Sequence, residues 1–300
     1  MITQYMDVIC IGNLNYDISF HLSEIPDVHE KVRCDNATFS CGGSAGNTAC
    51  WLASLGVKTG VVGAVGNDAL GEAQIEDLKK YHVGTTHIRR IGQSGVAVIL
   101  VEGEAKRMIK YTGANAYKEI DEYFLSAGHV HISSNEEDTV KKVIEICGQR
   151  EKRKEKKITL SWDPQELFFE ELLPFFNYVF INEDDLRRKT GINNIETAAR
   201  TLKPEILIVT KNGGGCLIFG DIVIDVPSFN IEAVDSTGAG DAFDAGFILG
   251  LQKKLSLKEC GILGTACASL KVQHYGARGG IYDTDALRVF LQQRNINMTI

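Results

Sequence analysis

The chain has 300 residues, 44% of them hydrophobic and 24% charged, with a formal net charge of −7. That composition suits a globular protein with a substantial core; no run of about 18 apolar residues is available to span a bilayer, and the acidic balance disfavours a nucleic-acid surface, which relies on clustered Lys and Arg. The eight cysteines are scattered without a CxxC pair of the kind that builds zinc or redox sites, so buried free thiols in a cytoplasmic protein are expected.

The N-terminus MITQYMDVIC has no basic n-region and runs into DVICIG, a first buried strand, so no secretory signal is expected. A helix from about Ala45 to Leu55, the strand TGVVGAV and a helix near Gly71 to Tyr81 follow. The rhythm resumes with HVHIS, a helix from about Glu136, KITLSW, YVFIN, a helix near Ile195 to Leu202, and EILIVT. Alternating strands and helices give a parallel sheet whose strand carboxyl ends form one functional edge. Two stretches, about Tyr16 to Phe39 and about Gln93 to Tyr111, read as strands and turns without a helix. They predict a small second sheet inserted twice, at about 13–40 and 91–112, covering the active edge as a lid within a single domain of residues 1–300. The basic run REKRKEKK, Arg150 to Lys157, carries two glutamates among its six cations and reads as a solvated helix end or loop.

The stretch VDSTGAGDAFDAG, Val234 to Gly246, turns from loop to helix, because GAG cannot continue a strand while AFDAGFILGL has helical apolar spacing. The backbone N–H groups of Thr237, Gly238, Ala239 and Gly240 would then point unpaired from a helix N-terminus, which carries roughly half a positive charge and binds phosphate oxygens. A carboxylate at Asp241 would repel such an anion, unless something must lose a proton there. In phosphoryl transfer a carboxylate accepts the proton of the attacking hydroxyl, and Asp241 fits that base. The alternative is that Asp241 only complements the helix dipole, an effect of about 0.3–1 kcal/mol. There is no GxxxxGK[ST] loop, and GAGDAF fails G-x-G-x-x-G at Phe243.

DSTGAGD resembles the C-terminal signature D-T-x-G-A-G-D of the ribokinase-like (PfkB) carbohydrate kinase family, with Ser236 at the second position. CGGSAGNTACWLASLG, Cys41 to Gly56, resembles its N-terminal signature G-G-x-x-x-N-x-A. The resemblance runs from about Val8 to Gly280. It implies a doubly wound, mainly parallel α/β sheet flanked by helices with a small β-sheet lid, and an ATP- and Mg²⁺-dependent kinase with an alcohol acceptor. GNLNYD matches the family's G-x-x-N-x-D, so Asn15 and Asp17 are implied to hold substrate hydroxyls; an Asx turn is the alternative. Gly42, Gly43 and Asn47 fall on the sugar-binding part of the first signature, or only on a tight strand-to-helix turn. VVGAVGNDALG resembles V-G-x-D-x-x-G, where Asp68 is structural.

FINEDDL corresponds to the family's N-x-x-E, with Asn182 kept and Asp185 at the Glu position, implying contact with Mg²⁺ through water. VTKNGGG resembles the nucleotide loop T-K-G-x-x-G, placing Thr210, Lys211, Gly213 and Gly215 at the nucleotide, with Asn212 for the first glycine; a plain two-strand turn is the alternative. Asp235 looks like a residue that supports the anion hole and a monovalent-cation site such as K⁺, or else caps the loop. Asp244, three residues beyond Asp241, reads as ordinary.

LSWDPQELF and ECGILGTACASLKVQHYGARGG resemble the archaeal-type nucleoside kinases, and HISSNEED offers Ser133 and Ser134 where ribokinases carry a substrate-binding Glu. These features favour a nucleoside acceptor over ribose or fructose. A dinucleotide oxidoreductase lacks its early glycine fingerprint here. A non-catalytic nucleotide or sugar sensor would be expected to have lost Asp241 or the glycines. A homodimer through exposed lid strands is expected.

Overall fold

The computed structural model describes residues 6–103, 105–121, 127–153 and 157–300. Residues 1–5 of the N-terminal stretch, residue 104 of the second lid segment and residues 154–156 of the basic run lie outside the described residues.

In chain order the strands are β1 (Val8–Gly12), β2 (Asn15–Leu22), β3 (Asn36–Gly42), β4 (Thr59–Val65), β5 (Gly84–Arg90), β6 (Gly95–Glu102), β7 (Ala105–Tyr111), β8 (His129–Ser133), β9 (Thr159–Asp163), β10 (Tyr178–Asn182), β11 (Ile206–Lys211), β12 (Gly215–Phe219) and β13 (Val223–Val226). Nine of them form one sheet in the order β13-β12-β11-β10-β9-β8-β1-β4-β5. From β5 to β11 every pairing is parallel, and β12 and β13 close one edge as antiparallel strands.

Alternation along β1 shows why both faces are covered. Val8 and Cys10 join one core cluster, with Trp51, Leu52, Ile248 and Leu249. Ile9 and Ile11 join another, with Val140, Val143 and Leu186. A strand apolar at every position is buried on both sides, as doubly wound parallel sheets require. The helices are α1 (Ser44–Ser54), α2 (Ala69–Lys80), α3 (Glu137–Lys152), α4 (Glu183–Thr190), α5 (Ile195–Thr201), α6 (Ala239–Gln252), α7 (Leu257–Lys271) and α8 (Thr284–Gln292). A Cβ at Gly246 of α6 would stand 2.5 Å from the Leu263 carbonyl, so the small residues let α7 lie directly on α6.

Strands β5 and β13 and helices α4 and α8 escaped the sequence reading. Strand β5, GTTHIRR, is a half-exposed edge with few apolar residues. Helix α4, EDDLRRKT, has no apolar stripe; its acidic first turn, basic last turn and Asn182 N-cap stabilise it instead. The two helix-free segments supply a separate four-stranded sheet in the order β3-β2-β6-β7.

Trp162, at the end of β9, is fully buried and stacks on Phe176 with ring centroids 5.1 Å apart. The stretch that favoured a nucleoside acceptor is thus partly a core feature. Trp162→Ala is expected to lower unfolding free energy by about 3–5 kcal/mol in urea titrations while leaving acceptor affinity unchanged; a stability within 1 kcal/mol of wild type would contradict this packing role.

Candidate active site

Helix α6 begins at Gly238, whose left-handed backbone (φ 78°) forms the N-cap. A Cβ there would meet the Ala277 carbonyl at 2.5 Å. Of the four N–H groups expected to face an anion, two are used by the loop itself. Thr237 N donates to Asp235 Oδ1 at 3.0 Å, and Ala239 N to the Ser236 carbonyl at 3.1 Å. The anion-facing donors are therefore reduced to Gly238 and Gly240, whose N–H groups have no partner among the described residues.

Asp241 lies in the first turn of α6 and is 7% exposed. Its Oδ2 accepts from Asn47 Nδ2 at 2.8 Å, and Ser44 adds a second side-chain hydrogen bond. The other end of the Asn47 amide accepts from Arg278 Nε at 3.0 Å. Arg278 is itself buried, ion-paired to Asp77 at 2.6 Å, and donates to the Gly42 carbonyl at 3.0 Å. Asn47, assigned from the sequence to the acceptor, thus has both ends of its amide committed to Asp241 and Arg278. Burial pushes Asp241 up to about 6, against the pull of Asn47, Ser44 and Arg278.

A cavity of about 330 Å³ beside this carboxylate brings Asn15, Asp17, Gly43 and Asn47 together with Gly238, Gly240 and Asp241. Gly42 lies behind it: a Cβ there would fall 2.1 Å from the Asp17 carboxylate, so the glycine makes room for Asp17 and does not line the cavity. Asp17 is also pushed up to about 6, chiefly by burial. Ser133 and Ser134 are buried and do not line this cavity. The small sheet contributes Lys106, Met108 and Lys110, and the loop after β9 contributes Gln165, which donates to Ser44 Oγ at 2.7 Å.

A larger cavity, about 660 Å³, is lined by Asn182, Thr210, Lys211, Gly213 and Gly215 along with Ala239 and Gly240, so the structure groups every expected nucleotide residue at one place. Phe229, Ile231, Ala268 and Val272 form its apolar side. Lys211 pairs with Asp225 at 2.7 Å. Asn212, which departs from the family glycine, ties the loop to α4: its N–H donates to Glu183 and its amide to Asp184.

A third space of about 430 Å³ is lined by Asp163, Glu166, Asp185 and Asp244, again with Gly240. Asp185 is held by Asn182 and Arg188. No group of three metal-ligating side chains is close enough to chelate an ion among the described residues. These oxygens suit Mg²⁺, which keeps most of its waters and takes the rest of its ligands from nucleotide phosphates. Asp244 is not the ordinary residue expected. It is 2% exposed, its Oδ2 has no hydrogen-bond partner, and burial holds its carboxyl well above the usual range, 3.5 Å from His131 Nε2.

The expected monovalent-cation site does not fit. Asp235 Oδ1 accepts from Lys106 Nζ at 2.8 Å and from the Thr237 hydroxyl and N–H, and Oδ2 accepts from Gly276 N at 2.9 Å. Its carboxylate is held well below the ordinary range by Lys106 and these donors, which overcome the opposing effect of burial.

The residues missed from sequence are Lys106, Lys110, Asp163, Gln165 and Arg278. Asp163 and Gln165 stand inside the quoted WDPQELF, and Arg278 inside HYGARGG; a lone Arg in a glycine-rich turn was the available signal.

A family profile described as pfkB family carbohydrate kinase matches residues 6–284. The chain is 28% identical over 299 residues to the ATP-dependent ribose-1-phosphate kinase of Halopiger xanaduensis, covering 96% of this chain and 98% of that one. It is 25% identical over 303 residues to the nucleoside kinase of Methanocaldococcus jannaschii, with coverage of 96% and 98%. The structure of Arabidopsis thaliana ribokinase complexed with ribose and ATP matches with a TM-score of 0.85 at 25% identity, covering 96% of this chain and 99% of that one.

Because Asp241 is raised to about 6, kcat/KM is expected to rise about tenfold per pH unit below that value and level off above pH 7. A profile flat from pH 5 to 8 would remove Asp241 as the titrating base. The same shift sets a stability trend. A carboxyl raised in the fold stabilises the native state below its unfolded pKa and loses that contribution as pH rises through about 6. Asp241→Asn is therefore expected to melt above wild type at pH 7 and level with it near pH 4.

Proposed function

Because the chain belongs to the pfkB family of carbohydrate kinases and is an ATP-dependent kinase with a hydroxyl acceptor, we propose that it transfers the γ-phosphoryl group of ATP to the hydroxymethyl group of a ribosyl compound, with Asp241 as general base. The observation that carries this reading is the shared wall at Gly240: the acceptor cavity, the nucleotide cavity and the acidic space all meet there. An acceptor hydroxyl held by Asn15 and Asp17 faces Asp241, which takes its proton. The hydroxyl oxygen forms the new bond to phosphorus as the bond to the ADP oxygen breaks. Charge growing on the transferred group meets the N–H groups of Gly238 and Gly240 at the positive end of α6. Thr210, Lys211, Gly213 and Gly215 hold the nucleotide, with Asn182 and Asp185 beside its phosphates. Mg²⁺ bound with ATP would supply charge neutralisation, held through water by Asp185 and its acidic neighbours. The small sheet acts as the lid, bringing Lys106 and Lys110 over the acceptor.

A nucleoside is the favoured acceptor. A space of about 370 Å³ adjoins the acceptor cavity, sharing Lys106, Ser236 and Thr237, and holds the rings of His21 and Tyr275 edge to face at 6.0 Å. Those rings suit a base. Lys106 between the two spaces supports a second reading, in which a phosphate at the same carbon replaces the base, as the name of the Halopiger relative indicates for that protein. Free ribose or fructose, and a sensor without turnover, are the remaining alternatives. Exposed Phe39, Met108, Ile109 and Tyr111 on the small sheet support a homodimer, and the eight free cysteines support a reducing cytoplasm.

Nucleosides, ribose 1-phosphate, ribose and fructose should be compared with ATP and Mg²⁺. A nucleoside is expected to lead in kcat/KM, and Tyr275→Ala to erase the lead. Higher kcat/KM for ribose 1-phosphate, unaffected by Tyr275→Ala, would select the second reading. Asp241→Asn is expected to lower kcat by about 10²–10⁴ with substrate affinity nearly intact; a variant retaining most of its turnover would exclude Asp241 as the base.

A further inference from the structure

Lys271 closes α7 and has no solvent exposure. A buried ammonium is costly unless its protons are satisfied. Here Nζ donates to the backbone carbonyl of Asp235 at 2.9 Å and to that of His274 at 3.0 Å. The first belongs to the loop entering α6, the second to the loop leaving α7. The same two loops are joined by Val234 N and Asp235 N, both donating to the Val272 carbonyl at 2.7 and 3.0 Å, and by Gly276 N donating to Asp235 Oδ2. Converging carbonyls from two loops beside a carboxylate are the oxygen set that a free monovalent cation would need. In this chain those oxygens are taken: the carbonyls by Lys271, the carboxylate by Lys106, Thr237 and Gly276. A second bare cation would stand against two ammonium groups.

We propose that Lys271 is a tethered cation built into the fold, which holds the loop Asp235–Gly238 in its anion-binding shape and makes catalysis independent of potassium. Lys271 touches neither the acceptor cavity nor Asp241. It is a positioning residue acting through the Asp235 carbonyl on Thr237 and Gly238. The inference rests on the kinase reading only in taking that loop as the one that meets the transferred phosphoryl group.

The first test needs no variant. Wild-type turnover and ATP dissociation constant are measured in potassium, sodium and tetramethylammonium chloride at equal ionic strength, with Mg²⁺ fixed. Both quantities are expected to agree within threefold across the salts; more than threefold activation or tightening by potassium overturns the proposal. An enzyme that phosphorylates none of the acceptors tested sinks the acceptor assignment instead, and the ATP dissociation constants still decide this one. The second test uses Lys271→Ala and Lys271→Met. Each is expected to lose at least tenfold in kcat with KM for the acceptor changed less than threefold, and methylammonium is expected to restore Lys271→Ala more than it affects wild type. Wild-type kcat in a folded Lys271→Met, or loss in Lys271→Ala that neither methylammonium nor potassium relieves, would count against a cation acting at this place.

Discussion

One hydrogen bond fixes the geometry on which the rest of the site depends: Asn47 Nδ2 to Asp241 Oδ2, joining residues 194 positions apart. A carboxylate 7% exposed is destabilising unless hydrogen bonds and opposite charge replace the water it loses. Asn47 supplies one such bond, the N-terminus of α6 supplies positive potential, and Arg278 supplies a full charge one residue removed. Arg278 then binds Asp77 on α2, so α1, α2, α6 and the loop after α7 are locked round one acidic oxygen. The small residues that let α6 and α7 touch serve the same end, since they set where the first turn of α6 points.

This arrangement explains what was legible in the sequence. Local patterns were readable: the strand-helix alternation, the glycine-led start of α6 and the helix-free segments all correspond to elements of the fold. Residues whose meaning depends on a distant partner were not. The position of Asn47 in the first signature places it at the acceptor, but its bonds to Asp241 and Arg278 could not be read from that position. Asp235 looked like a cation ligand, yet its partners Lys106 and Gly276 lie 129 and 41 positions away. Strand β5 and helix α4 were missed for a different reason: neither buries enough apolar surface to impose a period on its sequence.

At β7 the small sheet is tied to the large domain by contacts of modest strength. Lys106 reaches Asp235 and Lys110 reaches Glu166, and both ammonium groups keep substantial exposure. Ion pairs of that kind contribute about 0–1 kcal/mol each. They orient the sheet without locking it, which suits the proposed role of a cover that would admit and release an acceptor on each turnover. The permanent cation of the loop is by contrast the buried Lys271, reached from within the same body of the fold. Two lysines thus stand near one carboxylate: one belongs to the small sheet, and the other to the large domain.

The carboxylates round Gly240 complete the electrostatic account. Burial pushes Asp241 to about 6; burial with repulsion from Asp241 pushes Asp163 to about 7, and burial with repulsion from Asp163 and Asp241 holds Asp244 well above the ordinary range. Asp163 and Asp244 are harder to ionise because they are buried and Asp241 is near, and Asp241 because it is buried. For the proposed base this has a direct use. An aspartate at its ordinary value would be fully ionised at neutral pH but a weak proton acceptor, while one near 6 is still ionised and binds a proton about a hundredfold more tightly. Under the proposed reading, the same crowding would favour a magnesium nucleotide, whose cation would offset the acidic space while its phosphates met the N–H groups of Gly238 and Gly240. A site repulsive when empty and balanced when filled gains most from the ligand that completes it, so on that reading the stability given up in burying these carboxylates would be recovered on substrate binding.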